Sequence, residues 1–317
     1  MRVVVTGSIA YDYIMYFPGK FRDHILPDKL DSLALSFLVE RMTRHRGGVA
    51  PNIAYTLALL GAPPSILATA GQDFDDYRAW LNSHGVDTST VKIIPDVFTA
   101  SFFAGTDQVN GQIALFYPGA MAHAGEVSFR GLSYKPDLAV ISPDDPAAMT
   151  QHARECAELG IPYAYDVSWQ LARLPSDEIR AGVLGCRMLV VNEYEMCLIT
   201  DKTGIAETDP ALAEAIVVVT RGERGATIRA DGQVYEIPAV PPVRVADPTG
   251  AGDAFRGGLL RGMIAGWGWD IAGRMGALAA TYCLEQAGTQ CHSYSRPEFV
   301  QRYRQHFDDG GALDGLL

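Results

Sequence analysis

The chain has 317 residues, 48% of them hydrophobic and 20% charged, and carries a formal charge of −11. That balance describes a folded globular protein with ample apolar material for a core, and the acidity argues against nucleic-acid backbone or an anionic membrane as partner. The five cysteines, at 156, 186, 197, 283 and 291, are odd in number and lack a Cys-x-x-Cys pair, so they read as reduced thiols of a cytoplasmic protein.

Val3–Thr6 is a short, continuously apolar run, as expected of a parallel strand covered on both faces. The same pattern returns at Ser65–Ala68, Leu138–Ser142, Pro162–Asp166, Met188–Asn192 and Ile216–Thr220. Helical periodicity fills the intervals at Pro51–Leu60, Asp75–His84, Ala147–Leu159, Glu193–Thr200 and Ala211–Ala215. Such alternation predicts a doubly wound, mostly parallel α/β sheet flanked by helices. Two stretches break the rhythm. Residues 13–46 and 97–118 hold β-like pieces at Leu33–Val39, Thr99–Thr106 and Gln112–Tyr117 without intervening helices. They are expected to form a small β sheet outside the main layer, a discontinuous lid on one domain spanning 1–317. Phe102, Phe103, Phe116 and Tyr117 favour a lid over a purely structural extension, since a sheet covering a ligand needs an apolar inner face. The same sheet offers a homodimer contact if two lids pair. Beyond position 220, Ala226–Arg229 and Gln233–Ile237 read as a hairpin around Asp231-Gly232, and β character continues to Ala246. Helices follow near 251–265, 270–287 and 296–307, and the Gly-rich tail 308–317 reads as a loosely held end.

The run Asp247-Pro248-Thr249-Gly250-Ala251-Gly252-Asp253 stands where β character gives way to a helix. Small residues leave backbone N–H groups unobstructed, and a first helical turn offers them unpaired, with the positive end of the dipole behind. Such a terminus attracts phosphate. A carboxylate in that turn, Asp253, can take a proton from a hydroxyl. An anion cradle beside a base is what phosphoryl transfer to an alcohol requires. No Gly-x-x-x-x-Gly-Lys-Ser/Thr occurs, and Phe255 stands where a dinucleotide fingerprint needs glycine.

Further candidates follow the strands. Asp12 comes after the first, at the carboxyl edge where open α/β folds bind ligands, and can grip adjacent hydroxyls. In Gly47-Gly48-Val49-Ala50-Pro51-Asn52, paired glycines suit a hinge and Asn52 offers both amide atoms to a sugar, although taken alone the segment reads better as an ordinary turn with Asn near a cap. Asn192 and Glu195 open a helix three residues apart, placed either to order Mg²⁺-bound water and phosphate or merely to complement the dipole. Thr220, Gly222 and Gly225 allow a nucleotide close to the backbone. The seven histidines show no metal spacing.

In this order the motifs resemble the ribokinase-like (PfkB) family of carbohydrate and nucleoside kinases, from Val3 to about Phe299. The resemblance implies an ATP- and Mg²⁺-dependent kinase phosphorylating a primary hydroxyl of a nucleoside or sugar. Asp253 would be the base, and Gly250, Ala251 and Gly252 the anion hole. Asp12, Gly47, Gly48 and Asn52 would hold the acceptor, with Ser8, Phe102 and Phe116 beside it. Asn192 and Glu195 would act around Mg²⁺, Glu195 through water, while Thr220, Gly222, Gly225 and Gly288 line the nucleotide side. Family members often bind a monovalent cation, and here K⁺ would sit by Asp247 and Thr249. Arg46-Gly47-Gly48 with Ala50-Pro51-Asn52, and the late Gly288-Thr289-Gln290, look most like bacterial adenosine-kinase-like members. Ser8 stands where some nucleoside kinases have Asn, and Arg41, Arg44 and Arg46 keep a phosphosugar open. A sugar kinase and a catalytically idle binding regulator remain as alternatives.

Overall fold

The computed structural model describes residues 1–25 and 34–317. Its main sheet has eight strands. Six are parallel: β1 (Val3–Thr6), β4 (Ser65–Ile66), β9 (Leu138–Ile141), β10 (Tyr163–Tyr165), β11 (Met188–Asn192) and β12 (Ile216–Thr220). The hairpin β13 (Ala226–Ala230) and β14 (Gln233–Ile237) adds two antiparallel strands, giving the order β14-β13-β12-β11-β10-β9-β1-β4. Its turn sits at Asp231 and Gly232, both with φ near +50° to +70° (52° and 72°), as a two-residue turn between twisted strands demands.

Alternate strand residues feed two cores. Val3, Val5, Val140 and Val218 face helices α1 (Val49–Leu59), α6 (Ala251–Ala265) and α7 (Trp269–Leu284). Val4, Ala139, Ile141, Val217 and Val219 face α3 (Pro146–Leu159), α4 (Ser176–Gly185) and α5 (Glu193–Thr203). Two helices remain: α2 (Asp75–Ser83), which buries Tyr77 and Leu81 in the first core, and α8 (Arg296–His306), which buries Phe299 and Tyr303 there.

A separate four-stranded sheet has the order β3-β2-β7-β8, from β2 (Ala10–Phe17), β3 (Arg41–Gly47), β7 (Ala100–Asp107) and β8 (Gln112–Tyr117). Its register places Asp12 opposite His45 and Phe102, and Phe102 opposite Phe116, so the four share one face. A two-stranded sheet, β5 (Thr69–Ala70) with β6 (Lys92–Ile93), completes the strands.

Several expectations need correction. Residues 34–39 form no strand, and Leu33 lies outside the described residues; the charged run Arg41–Gly47 pairs with β2 instead, because backbone pairing beside an exposed face tolerates polar side chains. β character stops at Ile237, and residues 238–250 are irregular around a run of prolines that cannot donate to a ladder. Ala211–Ala215 yields only a single 3₁₀ turn, Pro210–Leu212. Helix α4 has too mixed a pattern to have been anticipated. The tail is anchored rather than loose: Leu313 and Leu316 are fully buried, and Arg304 binds both Asp309 and Asp314.

Candidate active site

The parallel strands end along one edge, and the candidate residues follow those ends. Ser8 comes after β1, Asp166 after β10, Asn192 closes β11 and Thr220 closes β12, with Asn192 and Thr220 directly paired. Adjacent strands thereby bring together motifs separated by tens of residues. This carboxyl edge is where open α/β sheets bind ligands.

Gly250 caps α6 with φ +80°, a conformation open to glycine, and a β-carbon there would press into Thr289. Ala251 turns its N–H back to the Pro248 carbonyl at 3.3 Å, while those of Gly252 and Asp253 bond to no described residue. A β-carbon on Gly252 would meet the Arg256 guanidinium at 2.9 Å. The helix terminus therefore presents free donors beside a buried cation, the combination an oxyanion needs.

Asp253 stands on the first turn of α6. Its Oδ2 accepts a 2.8 Å hydrogen bond from Asn52 Nδ2, and its Oδ1 lies 3.6 Å from Arg256 Nη1. Burial pushes its carboxyl up to about 6, with Arg256 and the Asn52 amide pulling the other way and Glu195 adding to the rise. Burial likewise pushes Asp12 up to about 6, reinforced by Asp247 and Asp253. Asp12 lies against Gly47, where a β-carbon would overlap its carboxylate. Two carboxylates held near neutrality and facing one space can bind hydroxyls and accept a proton.

Gly48 caps the start of α1 with φ +92°, and a β-carbon there would overlap the Ser8 carbonyl, the Ile9 α-carbon and the Ala10 amide. A side chain at this φ would be strained and would overlap that backbone, so the glycine serves local packing as well as any hinge. Gly48→Ala should lower the thermal stability of the ligand-free protein, by ~1–2 kcal/mol from the backbone angle and more from the overlap. An unchanged melting temperature without ligand, with a loss only in the complex, would restore a pure hinge role. Ser8 Oγ accepts from the Val49 N–H at 3.4 Å, so Ser8 serves the start of the same helix.

Asn192 and Glu195 form a reciprocal capping box, each side chain bonding the other's backbone N–H at 2.8 Å. Asp247 braces the loop opposite, accepting from Thr249 N at 2.9 Å and from Gly288 N at 3.1 Å. Thr220, Gly222, Gly225, Pro248, Ala251 and Gly252 border a cavity of about 670 Å³, largely apolar and reaching back to Thr281 and Leu284. Glu195, Asn192 and Gly288 do not line it. Phe102 is half-buried and Phe116 exposed, and Phe116 meets the exposed Trp169 edge-to-face at 6.1 Å across the opening between the two sheets.

Sequence reasoning passed over four residues here. Asp166, buried, pairs with the largely covered Arg256 at 2.7 Å; a carboxylate ending a parallel strand and an arginine one turn beyond Asp253 were the available signals. Trp169 lies in a short 3₁₀ helix after β10, Ser168–Ala172, and carried none. Gln290, described below, stood within the quoted late segment but without a role.

Comparison with known proteins accords with this geometry. Residues 2–294 match the family model for pfkB family carbohydrate kinases. A nucleoside kinase of Methanothermobacter thermautotrophicus is 29% identical over 309 residues, 95% of each chain. The Burkholderia thailandensis nucleoside kinase in complex with inosine superposes with a TM-score of 0.86 at 36% identity, covering 96% of this chain and 98% of that one. The same enzyme with ADP-inosine gives 0.83 at 39% identity, covering 96% of each chain. With an ordered set of motifs converging on one sheet edge, a cradle beside a carboxylate, and a family match over nearly its whole length, the chain belongs to the pfkB family of carbohydrate kinases and is an ATP-dependent kinase.

Proposed function

We propose that the acceptor is a nucleoside and that Asp253 is the general base that activates its primary hydroxyl. The observation carrying the base assignment is the placement of Asp253 on the first turn of α6, beside free N–H groups and held by Asn52. The aromatic face of the small sheet supports a base-bearing acceptor: Phe102 and Phe116 share the row of Asp12, and Trp169 closes on Phe116 from the opposite side. Purine and pyrimidine rings bind such edges by stacking. The nucleoside complexes of the Burkholderia relative favour the same class. In this reading Asp12 and Asn52 hold the sugar hydroxyls, and the apolar cavity beyond Gly225 receives the nucleotide base of ATP.

In transfer, Asp253 takes the hydroxyl proton as the oxygen attacks in line. The N–H groups of Gly252 and Asp253, with Arg256 behind them, face the negative charge of the moving phosphoryl group. The small sheet acts as a lid that excludes water competing for the phosphoryl group. No three or more His, Cys, Asp or Glu side chains converge to cage a metal among the described residues. That suits Mg²⁺, which keeps several waters and is carried mainly by the phosphates. Asp166 retains a buried, unpartnered Oδ2, and with Glu195 it would hold those waters. When bound, the ion supplies neutralisation of phosphate charge. K⁺ would take the backbone carbonyls around Asp247 and Thr249, next to the Gly288 turn.

ATP consumption measured across nucleosides, ribose, fructose and phosphosugars tests the assignment. Fast turnover of a nucleoside supports it, and preference for a free sugar or phosphosugar overturns it. Failure to consume ATP with any acceptor would favour an idle regulator. The lid's opposite face exposes Leu115 (71%) and Met42 (62%), and we read it as a homodimer contact. Sedimentation showing only monomers at micromolar concentration would remove that assignment.

The carboxyl shifts set the pH dependence. Asp12 and Asp253 must both be ionised, and both titrate near 6 in the folded protein. The logarithm of kcat/KM should fall below about pH 6 with a slope approaching two, and Asp12→Asn should reduce that slope to one. Their folded values lie above the unfolded ones. Their stabilising contribution is thus fully present only below the unfolded value near 4 and is lost as pH rises through 6. Ligand-free unfolding measured from pH 4 to 7 should show that direction for these two groups, visible as a difference against Asp12→Asn.

A further inference from the structure

We propose that Gln290 is a positioning residue that fixes the Asn52 amide with its NH₂ group toward Asp253. Gln290 is buried, on the loop after α7, and meets three side chains. Its Oε1 lies 3.2 Å from Trp80 Nε1, and its Nε2 lies 2.9 Å from Asn52 Oδ1 and against the Tyr77 hydroxyl. Tyr77 in turn donates to the Gly47 carbonyl at 2.9 Å.

Hydrogen-bond chemistry permits one orientation of this set. An indole N–H only donates, so the Gln290 atom facing Trp80 must be the carbonyl oxygen. The Tyr77 hydroxyl has one proton, given to Gly47, so toward Gln290 it accepts and must meet the NH₂ group. The Asn52 atom beside that NH₂ is therefore its oxygen, and its own NH₂ turns to Asp253 Oδ2 at 2.8 Å. An ionised carboxylate only accepts, so the far end of the chain makes the same demand. Trp80 and Tyr77, both on α2, thus set the polarity of a hydrogen bond on the base, through two amides that would otherwise turn over freely.

The consequence is specific to catalysis. With its NH₂ inward, Asn52 holds the Asp253 carboxylate from one side while Arg256 lies on the other. Turned over, it would set its carbonyl oxygen against a carboxylate, repelling the ionised form and displacing it. The loop bearing Gln290 is itself pinned, since Thr289 Oγ1 donates to the Arg46 carbonyl at 2.8 Å and Gly288 N–H to Asp247. Gln290 touches no reacting atom and acts only through Asn52. The proposal rests on Asp253 being the base.

Gln290→Glu places acceptors on both Trp80 and Asn52, forcing the Asn52 amide to turn. Gln290→Met removes the donor without imposing the reverse orientation. Both are measured in the full chain, alone and combined with Asn52→Ala, with MgATP and inosine, or the nucleoside the acceptor panel prefers. Gln290→Glu should lower kcat about tenfold or more with the ATP KM unchanged, and Gln290→Met by a few fold. In the Asn52→Ala background each should change kcat less than about twofold, because the group they orient is gone. Equal losses in both backgrounds would overturn the proposal, as would a loss in ATP KM alone. Should Gln290→Glu fail to fold, as its melting curve would reveal, the Gln290→Met cycle decides by the same criterion. An Asp253→Asn control that keeps normal turnover would sink the base assignment instead, so the two failures are distinguishable.

Discussion

Replacing Asp253 with asparagine is expected to lower kcat by ~10²–10⁴-fold, the usual worth of a positioned general base, while ATP and acceptor still bind. The amide is nearly isosteric and sits at the first turn of α6, where the free N–H groups and the Arg256 guanidinium stay in place. Asn52 loses a charged acceptor but keeps a neutral one within reach, so the acceptor site should distort little. Single-turnover kinetics with isothermal titration of both ligands separates chemistry from binding. Near-normal turnover would remove Asp253 from the mechanism, and a parallel loss of acceptor affinity would reassign it to binding.

Arg256→Met should be the most damaging change to stability near the site. The guanidinium and the Asp166 carboxylate are 12% and 3% exposed and 2.7 Å apart. Removing the cation leaves a buried carboxylate without its partner, and breaking a buried pair from one side costs ~3–5 kcal/mol. Asp166→Asn on top of Arg256→Met should recover part of that loss, since the stranded charge disappears with it. Because Arg256 also draws the Asp253 carboxyl downward, its removal should move the acid limb of kcat to higher pH. Urea unfolding of the two variants provides the test. A cost below ~1 kcal/mol for Arg256→Met would mean that the pair is solvated and contributes little.

Sequence alone determined the alternation of strands and helices, the mostly parallel sheet and the presence of a second, smaller one. Val3–Thr6, Met188–Asn192 and Ile216–Thr220 emerge as strands at their anticipated limits because doubly covered strands must be apolar on both faces, a constraint written into consecutive residues. The turn at Asp231-Gly232 and the start of α6 at Ala251 were equally legible, since backbone conformation at Gly232 and Gly250 restricts the residue locally. The motif residues were visible as types at spacings; Ser8, Asn192 and Thr220 lie at the carboxyl edge of the main sheet, while Asp12, Gly47, Phe102 and Phe116 belong to the small one.

Tertiary structure decided what those residues touch. Asp166 and Arg256 are 90 positions apart and Gln290 and Asn52 are 238 apart, so no local pattern could join them. The strand Arg41–Gly47 was misplaced because its partner β2, and not its own hydrophobicity, makes it a strand. The tail was misread because Leu313 and Leu316 find an apolar surface supplied by the rest of the chain. Whether Gly48 is a hinge or a packing requirement depended on the Ser8 carbonyl lying against it. Local sequence specifies conformational preference within a few residues, whereas polarity, pairing and charge at the site are set by groups that only the fold brings within hydrogen-bonding distance.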